Sequence, residues 1–390
     1  MKEINNKIIE LKSSIINDIY TKYIYDFYDI QNKEETSVQI PMNLNHINDF
    51  EWNIGIILGG SGSGKTTILK NIGNIKLTNF DSKKSLISNF DYLNPKDATL
   101  LLSSMGLSSV PTWLRPFHTL SNGEQYRANL AYLVSSAKDN EIIIVDEYTS
   151  VVDRDVAKAM SYALQKYIRK ENKKIILASC HYDILEWLMP DWTYSPQKRG
   201  VLEKCEYLRQ GKPKIELQIS RVKPKTWDFF KKHHYLTELN NKSYAHYLFE
   251  WNNKPVAINI ISPLPSAYLK DAFRESRIVV LPDFQGLGIG YSISNFTASI
   301  YKSIGKRYYT KTIHNSLGLK RNNDIDNWRP TNDNGKERKK RKKEFNYESH
   351  WKHNSRPSYC HEYIGNITSG YEDILLSINK IRNKNQLCLF

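Results

Sequence analysis

The stretch GIILGGSGSGKTTILKNIG, residues 55–73, constrains this chain more than any other. An apolar run, Ile54–Leu58, leads directly into a glycine-rich loop, and an apolar helix pattern with Ile68, Leu69 and Ile72 follows. Glycines between a strand and a helix let the backbone wrap phosphate with its N–H groups, and the helix N-terminus adds positive potential. Gly59, Gly60, Ser61, Gly62, Ser63 and Gly64 are expected to form that wrap, with Lys65, Thr66 and Thr67 at the helix start. Lys65 would reach the β- and γ-phosphates of a nucleotide, and Thr66 would ligate magnesium. Ile54–Leu58, Ile142–Val145 and Ile175–Ala178 are continuous apolar runs. Runs of that kind predict an α/β unit whose strands are buried on both faces, as in a parallel sheet with helices on each side.

Later segments extend the set. IIIVDEYTSVVDR, residues 142–154, is an apolar strand ending in Asp146 and Glu147, followed by a loop carrying Asp153. Asp146 would hold the magnesium through water, and Glu147 would polarise the attacking water. ILASCHYDILEWL, residues 176–188, supplies a strand ending at His181, in place to sense the γ-phosphate. Ahead of both lies LSNGEQYRANLAYLV, residues 120–134. Four motifs in this order, over roughly residues 40–195, resemble the ABC-type ATPases. In that family the LSGGQ-like segment, here with Ser121 and Gly123 kept, caps the nucleotide bound by the opposite subunit. The resemblance therefore implies a homodimer that forms on ATP and Mg2+. Asn122 and Glu124 depart from the family pattern. No glutamine occurs between Thr66 and Glu124, which leaves Asn89, Asp91 and Asn94 as stand-ins for the family's Q-loop residue. With a short helical insert and no membrane domain, transporter subunits are not expected as partners. A single ATPase unit also differs from the tandem translation factors, and no coiled coil suggests the chromosome-maintenance type.

The chain has 390 residues, 40% of them apolar and 25% charged, enough for two domains with ordinary cores. Its formal charge is +15, and the distribution is uneven. Residues 1–200 hold 23 Lys+Arg and 23 Asp+Glu, whereas residues 201–390 hold 33 and 18. Such a balance in one half points to a polyanionic partner there. No stretch approaches the roughly 18 consecutive apolar residues of a membrane span, and the N-terminus lacks a signal-peptide pattern. Cys180, Cys205, Cys360 and Cys388 show no CxxC spacing, which argues against zinc and against a disulfide scaffold. A cytoplasmic protein without a membrane partner is the expectation. Residues 6–30 carry apolar residues at helical spacing, and SPQKRG at 195–200 reads as a linker.

Beyond the linker, SRIVVLPDFQGLGIGYSISNFTASIYKS at 276–303 places an apolar strand before a glycine turn and an amphipathic helix. Gln285, Gly288 and Gly290 spell Q-x-x-G-x-G, with Gly286, Leu287 and Ile289 between them. The segment resembles the diphosphate-binding motif of the GNAT acyltransferases, whose backbone N–H groups at a helix start bind coenzyme A. The resemblance spans about residues 215–322 and implies an α+β domain that binds acetyl-CoA or another acyl-CoA. Arg277 to Leu281, with Val279 and Val280, would be the splayed strand receiving the pantetheine arm. TWDFFKKHHYL at 226–236 resembles the first helix of that fold. SYAHYLFEW and PVAINII would be two strands joined by the turn NNK, and RYYTKTIH at 307–314 a further strand. The family's usual tyrosine acid has no counterpart in NSLGLKRNN. His314 and Ser316 are the nearest replacements, with Asp283 and Glu275 as candidate bases.

KERKKRKK at 336–343 has seven basic residues in eight, in a polar segment (323–345) that reads as a surface loop. Lys336, Arg338, Lys339, Lys340, Arg341, Lys342 and Lys343 are the candidate contacts to nucleic-acid phosphates. Tyr347, Trp351 and Tyr359 follow, interleaved with Lys352, His353 and Arg356, and aromatics of this kind suit unstacked bases. The expected division is a helical and strand extension at 1–39 and an ATPase domain at 40–200. An acyl-CoA domain at 201–322, the basic loop at 323–345 and a packed C-terminal segment at 346–390 complete it. An ABC-type unit followed by a GNAT-like one resembles ATPase–acetyltransferase fusions of archaea, bacteria and phages, and more faintly the Mom-type DNA-modifying phage proteins. The expected activity is ATP-dependent acyl transfer to a base amine of DNA or tRNA. Alternatives are a nucleic-acid-binding ATPase in repair or defence whose GNAT fold only senses coenzyme A, and acetylation of a protein or small amine.

Overall fold

In the computed structural model, residues 7–31, 33–197, 201–206, 213–234, 244–266, 268–336, 357–376 and 386–388 are described. The chain opens with β1 (Lys7–Ser14), α1 (Ile19–Tyr28) and β2 (Glu35–Met42). Asp18 caps α1, its carboxylate accepting from the Tyr20 and Thr21 N–H groups. The helical spacing at 6–30 holds only for α1, because residues 7–14 pair antiparallel with β2 along their whole length. Ladder hydrogen bonds satisfy the backbone of that stretch, and the apolar spacing alone does not decide it. β2 ends in Ile40 and Met42, which are buried with Leu44, Ile47 and Trp52.

β3 (Ile54–Leu58), buried throughout, runs into the glycine loop and α2 (Lys65–Ile72). After α3 (Pro95–Ser104), α4 (Val110–Trp113) and α5 (Asn122–Ser136) come β4 (Ile142–Val145), α6 (Arg154–Lys170) and β5 (Lys174–Ser179). α7 (Leu185–Leu188), β6 (Trp192–Ser195) and β7 (Val201–Lys204) follow. Strands β4, β5, β3 and β6 are parallel neighbours in that order, with β7 antiparallel at the edge. The parallel sheet expected from the apolar runs is therefore present. The first sheet continues past the expected linker at 195–200, since β6 pairs with β7, Ser195 opposite Val201; residues 198–200 lie outside the described residues.

The second sheet contains β8 (Glu216–Val222), β9 (Ala245–Trp251), β10 (Lys254–Pro263), β11 (Ala272–Val280) and β12 (Arg307–Thr312). β13 (Trp328–Pro330), β14 (Tyr359–Tyr363) and β15 (Gln386–Cys388) complete it, in the order β13-β14-β12-β11-β10-β9-β8-β15. Only β11 and β12 pair in parallel. Asn252 and Asn253, both at positive φ, make the tight β9–β10 turn, as asparagine tolerates the left-handed region. Trp227 and Phe230 of the short α8 (Trp227–Phe230) are buried, but the expected first helix is only this turn of α-helix between two 3-10 turns, and Tyr235 and Leu236 lie outside the described residues. α9 (Ile289–Ser303) lays Ile293, Ala298 and Ile300 into the core, followed by α10 (Asn315–Asn323) and α11 (Glu372–Leu376). Part of the segment expected to be a surface loop is core. Trp328 is fully buried, its indole N–H bonded to Asn295, with the Arg321 guanidinium over its ring.

By compactness the chain divides into residues 1–79 with 132–211, and residues 80–131 with 212–390. This differs from a division in simple chain order, because the helical stretch 80–131, including LSNGE, groups with the second sheet. Inside that second unit His361 is fully buried on β14, with Nε2 at 2.7 Å from Asn322 Oδ1. Burial, with the nearby Arg321 charge, pushes its imidazole down to about 4. The unfolded chain takes up that proton near pH 6.5, so the contribution of neutral His361 is present above pH 6.5 and is lost as pH falls towards 4. His361→Gln should therefore flatten the fall in unfolding midpoint between pH 7 and 4.5 relative to the parent chain. Urea titrations that fall in parallel for both proteins would contradict this.

Candidate functional site

The first candidate site begins where β3 ends. Gly59 N–H donates to Ser179 O at 3.3 Å, fastening the loop to the end of β5. Gly64, at φ +88°, caps α2, a backbone conformation that side chains with a Cβ rarely take. The Lys65 ammonium donates to the carbonyls of Gly59 and Gly60 at 2.8 and 2.7 Å, so it lies along the inside of the loop. Thr66 Oγ1 donates to Asp146 Oδ2 at 2.7 Å. A hydroxyl and a carboxylate side by side are the hard oxygen donors that Mg2+ takes beside phosphate and water.

One residue organises the loop after β4. Tyr148 is buried, its N–H bonded to Ala178 O and its carbonyl accepting from Ser179 Oγ. Glu147 is exposed at φ +52°, with its N–H donating to Asp146 Oδ1. His181 follows β5, with Nδ1 at 3.1 Å from Thr149 Oγ1. Burial and then the charge of Arg154 hold its imidazole below the usual histidine range, against the pull of Asp183 and Glu147. That favours the neutral imidazole. Asp153 serves α6 as its N-cap, accepting from the Asp155 N–H at 2.9 Å. One compact unit thus holds Lys65, Thr66, Asp146, Glu147 and His181.

Ser121, Gly123 and their neighbours belong to the other unit. Ser121 caps α5 in a capping box: Ser121 N–H and Oγ donate to Glu124 Oε2, and the Glu124 N–H reaches back to Ser121 Oγ at 3.4 Å. Thr112 Oγ1 adds a third donor to the buried Glu124. Burial works to raise that carboxyl, but the donors outweigh it and hold it below the usual range. A carboxylate at this position is therefore accounted for by capping. The Q-loop stand-ins have local work as well. Asn89 bonds Asp81 N–H and Ser85 O, Asp91 pairs with Lys84, and Asn94 caps α3.

The turn expected to bind acyl-CoA lies between β11 and α9. β11 pairs with β12 only from Ala272 to Glu275, while on its other side it stays bonded to β10 as far as Val280. Residues 276–280 thus face β12 with an edge that no strand of the described residues covers. Leu281 and the buried Leu287 flank the turn, and Gly288, at φ +80°, caps α9. The first N–H groups of a helix have no intrahelical partner, so those at the start of α9 are of the kind that can bind an anion. Gly290 closes the packing, since a Cβ there would meet Val280 at 3.3 Å. Gln285 does not extend towards a ligand. Its amide donates to Val280 O at 2.9 Å and its oxygen accepts the Ser108 N–H at 2.6 Å.

Among the acyl-transfer candidates, Glu275 is buried in an ion pair with the fully buried Arg321 at 2.7 Å and accepts from Ser294 Oγ. Asp283 pairs with Arg127 at 3.3 Å. Ser316 is exposed at the start of α10. His314 places Nε2 at 3.4 Å from Ser108 O, its Nδ1 is buried without a partner, and burial lowers its pKa. Of the basic run, Lys336 is exposed, and Arg338, Lys339, Lys340, Arg341, Lys342 and Lys343 lie outside the described residues, as do Tyr347 and Trp351. Sequence reasoning missed Arg127 and Ser108. The contacts that tie them to the turn after β11 lie more than 150 residues away in the chain, beyond the reach of local patterns.

No family model matches the chain, and no curated protein matches it in sequence. Among solved structures it is similar to CbiO1 of Clostridium perfringens, part of an ABC transporter complex, at 19% identity and TM-score 0.33, over 44% of this chain and 82% of that one. A dimeric bacterial ABC transporter cassette matches at 16% identity and TM-score 0.32, over 43% and 89%. The ribosomal-protein-S18-alanine N-acetyltransferase of Escherichia coli matches at 13% identity and TM-score 0.28, over 40% and 97%. No helix among the described residues is long and apolar enough to cross a membrane.

Gly288→Glu would put a side chain and a negative charge where the α9 N–H groups converge. We expect acetyl-CoA at saturation to raise the melting midpoint of the parent chain but not of the variant, measured by scanning fluorimetry. An unchanged shift would refute this placement of the diphosphate.

Proposed function

We propose that the chain hydrolyses ATP and transfers an acyl group from acyl-CoA to a base amine of DNA or tRNA. The observation that carries the reading is the parting of β11 from β12, ending in a left-handed glycine at the start of α9, in a chain that also carries a strand–loop–helix phosphate wrap. In the ATP half, the loop N–H groups and Lys65 bind the phosphates. Magnesium, held by Thr66 and Asp146, would neutralise charge that builds up on them. Glu147 orients and polarises the attacking water, and neutral His181 donates to the γ-phosphate. Ser121 and Gly123 cap the nucleotide of a second copy, so that ATP drives dimerisation.

In the acyl half, the edge of β11 that β12 leaves after Glu275 receives the pantetheine arm, with Val279 and Val280 beside it and the turn from Gln285 to Gly290 on the diphosphate. The acceptor nitrogen attacks the thioester carbonyl, a C–N bond forms, the C–S bond breaks and the thiolate leaves. The proton lost by the nitrogen needs a base, and His314 is our choice: its Nδ1 is without a partner and burial favours the neutral ring. Glu275 and Asp283 are held in ion pairs. The acceptor class rests on the +15 charge concentrated after residue 200. An acceptor base must leave its stack to reach a thioester, which gives hydrolysis a task. A second reading, a coenzyme A sensor without transfer, is favoured by that same pairing of both carboxylates.

Glu147→Gln should bind ATP without hydrolysing it and elute as a dimer on size exclusion with ATP; a variant that stays monomeric would count against the capped pair. Mass analysis of nucleosides from DNA and tRNA of expressing cells should reveal a new acylated species that disappears with Lys65→Ala or Gly288→Glu. No new mass in either pool would favour the sensor.

A further inference from the structure

One wall of the acyl-CoA turn is built from residues far earlier in the chain. Arg127, in the second turn of α5, is fully buried. Its Nε donates to Gly123 O at 3.1 Å, its Nη1 to Pro282 O at 2.5 Å, and its Nη2 to Asp283 Oδ1 at 3.3 Å. One planar guanidinium therefore joins the LSNGE backbone to the residues that lead β11 into the turn. A second tie lies alongside. Ser108 N–H holds the Gln285 side chain at 2.6 Å, and Gln285 in turn holds Val280 O. Gly106, at φ +82°, approaches so closely that a Cβ there would sit 3.1 Å from Gln285 O. All these residues belong to one compact unit.

A buried guanidinium cannot exchange its acceptors for water, so losing one contact leaves desolvated polar groups behind. A shift of the Gly123 backbone must therefore be followed by Arg127, and through it by Pro282 and Asp283. The fork geometry matters because it engages separate acceptors at once, which a lysine cannot reproduce.

We infer that Arg127 is a positioning residue for the acyl-CoA turn, and that through it the capping of a nucleotide by Ser121 and Gly123 tightens acyl-CoA binding. The inference rests on the proposed roles of both turns. Coupling of this kind is reciprocal, so acyl-CoA must tighten nucleotide binding by the same factor. A merely structural arginine would alter stability or acyl-CoA affinity without linking it to nucleotide.

The test is calorimetric titration of acetyl-CoA into the Glu147→Gln chain, with and without saturating Mg-ATP, and the converse titration. ATP should tighten acetyl-CoA binding at least about 5-fold, with an equal factor in the converse experiment. Arg127→Met should reduce the factor to about one, and Arg127→Lys should restore only part of it. Should Arg127→Met not fold, Asp283→Asn, whose side chain is half exposed, removes only the charged contact and should still lower the factor. A parent that binds both ligands with a factor of one overturns the inference and leaves the proposed function standing. Variants that keep the parent's factor do the same. A parent that binds no acetyl-CoA overturns the acyl-CoA reading, and this inference with it.

Discussion

Both candidate sites rest on a glycine held in the left-handed region where a strand gives way to a helix. Gly64 stands at φ +88° before α2 and Gly288 at φ +80° before α9. In each place the turn leads into the first N–H groups of a helix, which have no intrahelical partner. The surroundings differ in what they add. Around Gly64 stand a lysine, a hydroxyl and a carboxylate, the set for a metal-bound polyphosphate. Around Gly288 the additions are apolar, Leu287 and Ile289, beside the uncovered edge of a strand, which suits a long arm behind a diphosphate.

Rigid support for the second turn comes from two arginines out of reach of water. Arg127 binds two carbonyls and Asp283, while Arg321 lies between Glu275 and the ring of Trp328. Removing one partner of such a set costs far more than the set contributes to stability. These residues therefore fix geometry, and they take Glu275 and Asp283 out of contention as free bases.

What was legible in the sequence was local. The glycine loop, the Asp146 strand end, the Asn252–Asn253 turn and the start of α9 each depend on a few adjacent residues with a single good conformation. Less legible were features decided by distant partners. Residues 7–14 became a strand because β2 lies opposite, and Trp328 became core because β14 accepts its segment. Glu124 departs from the expected glutamine, yet S-x-x-E was readable all along as a capping box. The role of Arg127 could not be read from its neighbours, since Pro282 and Asp283, which it joins to Gly123, lie about 155 residues on.

Coenzyme A itself carries an adenosine diphosphate moiety, so an acyl-CoA could occupy a phosphate loop meant for ATP. Competition therefore tests most directly whether the chain holds two separate anion-binding turns. Acetyl-CoA bound to the full chain would be measured by equilibrium dialysis while Mg-ATP is raised to saturation. Two turns predict one acetyl-CoA per chain, still bound when ATP is saturating. Stoichiometric displacement of acetyl-CoA by ATP would contradict the account, leaving a single nucleotide site at Gly59–Thr66.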